Sequence, residues 1–138
     1  MADLTITAAN VIAGANSKKT PGVSGATGTA GQTVYRDPTT KKFLLADSDS
    51  PTEAVRACAG IALHAASNGQ PLMIQEEGDI NLGATLTVGE IYVLSDTAGG
   101  IMPEADLEAG DYVTVLGVAS SASNLKMKIV ASGAAVPA

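Results

Sequence analysis

Apolar and polar residues alternate along much of the chain with the two-residue period of a strand that buries one face. Over residues 3–8, Leu4, Ile6 and Ala8 share a face while Thr5 and Thr7 take the other. Over 124–130, Leu125, Met127 and Ile129 oppose Lys126 and Lys128. The stretches EIYVLS (90–95) and DYVTVLGVA (111–119) are denser in β-branched and aromatic residues and predict strands buried on both faces. Turn signals fall between these segments. Asn68-Gly69, within IALHAASNGQPLMIQ, is the strongest, because both central residues of a type I′ turn need positive φ. Residues 98–100 and 120–124 read as further hairpin loops. Strands and turns at this spacing predict an all-β fold, a small β-barrel or β-sandwich of about seven to nine short strands.

One stretch invites a helix, near 51–58. Ser50 is placed to cap it, Pro51 suits the first helical position, Glu53 completes a capping box and Gly60 would end it. Residues 14–29 carry Gly, Ser and Thr with a single apolar side chain larger than alanine, Val23, and read as a loop. The chain thus divides into an N-terminal strand with a flexible arm or loop (1–28) and a β-domain (29–138). A faint repeat runs through the latter. AGQTVY (30–35) resembles VGEIYV (88–93), GIAL (60–63) resembles GVAS (117–120), and SNGQPLMI (67–74) resembles SNLKMKIV (123–130). Two related halves packed together would account for this order.

Length and composition narrow the functional classes. A chain of 138 residues buries enough surface for a core without staples, and a lone cysteine, Cys58, allows no internal disulfide. With no tryptophan and only Phe43, Tyr35, Tyr92 and Tyr112 as aromatics, a sugar or base platform is disfavoured. A net charge of −6 argues against nucleic acid; Lys18-Lys19 and Lys41-Lys42 are the only basic doublets. The start has no basic and apolar leader pattern, and no apolar run reaches membrane-spanning length, so a soluble protein made in a cytoplasm is expected.

Candidate chemistry is sparse. His64, the only histidine, sits in one arm of the Asn68-Gly69 hairpin, opposite in alternation to Ile61 and Leu63, with no nucleophile signature around it. Cys58 follows the alanine-rich RACAG and reads as a small buried hydrophobe, with Arg56 its only nearby cation. DSDS (47–50) hints at a calcium loop but lacks the glycine and terminal glutamate at their required spacings. EEGD (76–79) reads as a turn, GATGTAG (25–31) lacks the Lys-Ser/Thr of a phosphate loop, and one Cys with one His argues against a zinc site. No catalytic, metal or cofactor-binding residue is assigned, and the chain is read as a non-enzyme that works through its surfaces.

Taken together, MADLTITAANVIAG, GIALHAASNGQPLMIQEEGDINLGATLTVGEIYVLSDTAGGI (60–101) and GDYVTVLGVASSASNLKMKIVASG (110–133) resemble the capsid decoration (cement) or head fibre proteins of tailed bacteriophages. The similarity covers most of the chain and is weakest over 14–28. It implies a virion protein on the outer capsid surface, a homotrimer at three-fold positions that bridges major capsid protein subunits, without nucleic-acid or membrane contact. The alternative is a head fibre or adhesion module that binds host-surface glycans through the loops at 96–100 and 120–124.

Overall fold

The computed structural model describes residues 3–137; Met1 and Ala2, at the start of the expected arm, and Ala138 lie outside the described residues. The all-β expectation holds. Ten strands form one antiparallel sheet curled into a half-barrel. They are β1 (Val11–Ala13), β2 (Lys18–Val23), β3 (Thr33–Arg36), β4 (Phe43–Leu45), β5 (Gly60–Ala62), β6 (Pro71–Leu82), β7 (Ile91–Leu94), β8 (Ile101–Pro103), β9 (Tyr112–Ala119) and β10 (Asn124–Ala135). The sheet runs β4-β3-β5-β6-β10-β9-β7-β8, with β1 and β2 also on β6.

That order is the same four-strand unit written twice, the second time reversed. Val34 pairs with Leu45 as Tyr92 pairs with Pro103, each residue 58 positions on. Val34 pairs with Gly60 as Tyr92 does with Gly117, 58 and 57 positions on. Ala62 pairs with Ile74 as Ala119 does with Leu125, 57 and 51 positions on. The two related halves read in the sequence are therefore present in topology and register. The alignment of SNGQPLMI with SNLKMKIV is out of step, however, because the path from Ala62 to its partner Ile74 is six residues longer than that from Ala119 to Leu125, so Ile74 matches Leu125.

The match extends to two glycines. A Cβ on Gly60 would fall closer than 3.0 Å to the Gln75 carbonyl, and one on Gly117 closer than 3.0 Å to that of Lys126, the equivalent residue 51 positions on. Each half thus needs a residue without a side chain at the same point, where the neighbouring backbone comes closest.

The core has two parts. Ile61, Ile80, Leu82, Tyr92, Leu94, Ile101, Leu116, Leu125 and Met127 belong to the larger cluster, and Val34, Phe43, Ala62, Leu72 and Ile74 to a smaller one. Consecutive Val34 and Tyr35, like Ile61 and Ala62, enter different clusters, as strand alternation requires. β6 serves both. Its register against β2 slips where Lys18 faces Glu77 but Lys19 faces Gln75. The extra residue switches the faces, so Leu72 and Ile74 reach the small cluster while Ile80 and Leu82 reach the large one. Gln75 holds this bulge: fully buried, its Nε2 donates to the carbonyls of Glu77 (3.0 Å) and Asp79 (2.9 Å).

Several local expectations give way. Residues 3–7 are extended but not a strand; the Leu4 N–H donates to the Ile101 carbonyl and the Thr7 N–H to that of Gly83, while Leu4 and Ile6 pack on the large cluster. The supposed loop 14–29 contains β2, which lies along β6. Residues 11–13 and 18–23 of the N-terminal region thus both add strands to β6. The helix, α1, is a single turn, Glu53–Arg56, with Thr52 as N-cap and no side-chain cap bond; the Ser50 hydroxyl instead accepts the Thr52 N–H. Gly60 lies in β5, not at the helix end. At 67–70 the Gln70 N–H reaches the Ser67 carbonyl, and only Gly69 of the central pair has positive φ, so the turn is not type I′.

Two consequences are measurable. Gly60→Ala and Gly117→Ala should each destabilise the fold by about 2–3 kcal/mol through overpacking against backbone; equal urea midpoints for wild type and variants would contradict the close-approach account. Gln75→Leu should cost about 1–2 kcal/mol, because the Glu77 carbonyl loses the Gln75 donor while that of Asp79 keeps the Gly14 N–H, with the urea m-value unchanged.

Candidate functional site

The residues weighed for chemistry do not converge. His64 is exposed, and its Nε2 accepts the Met73 N–H at 3.0 Å while Nδ1 lies 2.9 Å from the Ala65 carbonyl. With Nε2 accepting, the proton sits on Nδ1 and is donated to Ala65. Both ring nitrogens are committed to backbone, so the imidazole ties the β5–β6 hairpin together. The cavity behind it, lined by Val34, Phe43, Ala62, Leu72 and neighbours, holds about 20 Å³, room for one water.

Cys58 is buried, and its thiol points to the Gly60 carbonyl at 3.5 Å. Burial pushes it up to about 12, outweighing backbone hydrogen bonds at Gly60 and Val34. It stays a thiol at neutral pH and is no nucleophile. Glu76, Glu77 and Asp79 lie inside β6 rather than in a turn. There Glu77 faces Lys18 and Lys128, Asp79 faces Lys126, and Glu76 accepts the Thr20 hydroxyl.

DSDS does enter a larger assembly. The Ser48 N–H donates to the Ser95 carbonyl, the Tyr112 N–H to that of Ser48, and the Ser95 hydroxyl to Asp3 Oδ1 at 2.6 Å. These bonds gather carboxylates from four separate segments at one end of the molecule. Asp47 is raised to about 6, first by burial and then by a side-chain hydrogen bond with Asp49, opposed by a backbone bond there; the charges of Asp49 and Asp96 add to the rise. Asp96 is raised by burial, then by the charges of Asp111, Asp49, Glu108 and Asp3. Among the described residues no group of three or more His, Cys, Asp or Glu is arranged to hold a metal ion.

A second feature lies along β10. The Arg56 guanidinium stacks on the Tyr112 ring, 3.6 Å from its centroid, and Nη1 donates to the Ser50 carbonyl. Beside them is a cavity of about 260 Å³ that also touches Glu53, Thr114, Ala131 and Gly133. Another, of about 270 Å³, lies between Cys58, Ala59, Glu76, Glu77 and Ile129. The first opens between the α1 segment and the β9–β10 pair, the second between residues 58–59, β6 and β10.

β10 pairs with β6 only from Asn124 to Lys128, whereas its ladder with β9 continues to Ala135. Residues 130–135 are exposed on both faces, and among the described residues no strand pairs with their second edge. Alternation could not announce this ribbon, since IVASGAAVPA (129–138) has none; its lack of any charge was the available signal.

Comparison with protein-family models, with curated proteins and with solved structures finds no match. No helix among the described residues is long and apolar enough to cross a membrane.

The acidic end generates a pH prediction. Because the folded-state value of Asp47, about 6, lies above the ordinary 3.8, the folded protein retains a proton between those values that the unfolded chain has lost. Stability from this group is present at low pH and is lost as pH rises through 6. Asp47→Asn should therefore raise the melting temperature at pH 7.5 and change it little at pH 3.5. A gain of equal size at both pH values would refute the assignment.

Proposed function

We propose that the chain is a structural virion protein of a tailed bacteriophage: a capsid decoration protein that binds the outer surface and bridges neighbouring major capsid protein subunits, as a homotrimer. One observation carries the reading. The β10 ribbon over 130–135 presents both faces, one free edge and no charge, a surface chemistry suited to another protein's backbone and small side chains.

Two further points support it. The sequence resemblance spans most of the chain. The gathered carboxylates Asp3, Asp47, Asp49, Asp96, Glu108 and Asp111 suit an exterior position better than one against packaged DNA, whose phosphates would repel them. Exposed Ile12, Val88, Val118 and Val130 add apolar contact area.

The mechanism is mass action. A protein that binds the assembled shell and not its separated subunits stabilises the shell by its own binding free energy. A trimer seated on a three-fold position matches the symmetry and engages three sites together.

Purified protein should co-sediment with expanded shells that lack it, saturate at a fixed ratio to the major capsid protein, and raise the temperature at which the shells rupture. Failure to bind any expanded form of the cognate shell would remove the proposal.

A further inference from the structure

The cavity beside Arg56 has its cause in the ladder beneath it. Alternation along β9 turns Tyr112 and Thr114 to one face, and their partners on β10 are Ala135 and Ala131. β10 therefore advances four residues where β9 advances two. A bulge takes up the slack: Gly133 stands in the left-handed region, and the Ser132 hydroxyl donates to the Val113 carbonyl at 2.8 Å and accepts the Ala134 N–H. The cavity of about 260 Å³ lies over this stretch of β9 and β10, with α1 as its other wall.

α1 brings two opposite charges to that cavity and keeps them apart. Glu53 and Arg56 stand three positions apart on one helical turn, a spacing at which opposite charges ordinarily meet. Here Arg56 is drawn onto Tyr112, its guanidinium 3.6 Å from the ring centroid, with Nη1 on the Ser50 carbonyl at 3.1 Å. Its main chain is fixed as well, because the buried Thr114 hydroxyl donates to the Arg56 carbonyl at 3.2 Å. Among the described residues, that one bond to Ser50 is all the guanidinium donates, and Glu53 makes neither an ion pair nor a side-chain hydrogen bond. They are the two charged residues on the cavity wall. Stacking accounts for Arg56 as a clamp of α1 on β9; it leaves unexplained a free carboxylate that shares the cavity with most of a guanidinium's donors.

We propose that this cavity binds a small zwitterion, a free α-amino acid, whose carboxylate takes the open N–H edge of Arg56 and whose ammonium group takes Glu53. Three observations select that class. A guanidinium held flat on a ring presents its remaining donors as the fork a carboxylate matches. The Glu53 carboxylate on the same wall repels a phosphate and favours a ligand that carries its own cation. The volume falls below ordinary ligand pockets of roughly 300–1,000 Å³, which suits an amino acid better than a peptide segment or a nucleotide. The site does not depend on a capsid partner, so its failure would leave the capsid reading untouched.

A chemical-shift titration of the full chain at neutral pH tests this, read at the Arg56 Nε–H and the Gly133 amide, with glycine, acetate, methylammonium and inorganic phosphate as probes. Glycine should shift both resonances to saturation with a Kd about tenfold or more below those of acetate and methylammonium, because two charged hydrogen bonds replace one. Phosphate should give no saturable shift. Two variants at exposed positions, both checked for an otherwise unchanged amide spectrum, locate the site. Glu53→Gln should erase the advantage of glycine over acetate, and Ala131→Leu should block glycine by filling the cavity. Absence of a saturable glycine shift, or glycine binding unaltered in either variant, would overturn the site. Acetate or phosphate bound as tightly as glycine by the wild type would overturn the zwitterion in favour of a simple anion.

Discussion

Ile80 and Leu125 face each other at the centre of the sheet, both without solvent exposure, and the β6–β10 ladder around them joins the two halves. The other pairings hang from that ladder. β6 takes β5 and β2 with its first residues and β10 and β1 with its last, so the N-terminal strands have no other support in the sheet. A strand with that many neighbours must serve two cores, and it does so through the bulge closed by Gln75. Side-chain alternation is rigid; only an added residue lets Ile74 and Ile80 point into different clusters.

Repetition explains much of what remains. The same hairpin, the same return strand and the same glycine recur in each half, and Gly60 and Gly117 mark where backbone meets backbone. The copies part before and after their third strand. In the first half the stretch before β5 makes the turn of α1, and β6 is covered on both edges. In the second half the matching stretch is the start of β9, which extends β10 into solvent as a two-stranded ribbon. Such a ribbon gains little from burial. Its open edge and the carboxylates at 47–49, 96 and 108–111 are the two surfaces that set this protein apart from a plain β-domain.

Much of this was legible beforehand, for reasons that particular residues show. The alternation of Leu125 and Met127 with Lys126 and Lys128 placed β10 correctly, because each apolar residue had one buried face to find. Leu4 and Ile6 carry the same alternation, yet their segment forms no strand: they bury against the large cluster while only scattered backbone bonds hold the chain. β2 was missed because Lys18, Lys19, Pro21 and Gly22 have no apolar period; it is a strand only because β6 offers it an edge. The carboxylate end was invisible too, since Asp3, Asp47, Asp96 and Asp111 are distant in sequence and meet through backbone bonds at Ser48 and Ser95 and the Ser95 hydroxyl.

The chain alone therefore determined what depends on neighbours a few residues away: the period of the strands, the sites of the turns, and the presence of two similar halves. Tertiary structure decided which edges are covered, where the strand bulges, and which charges share a surface. These are long-range matters, settled by hydrogen bonds between segments distant in the chain, and so they leave no periodic mark on the local sequence.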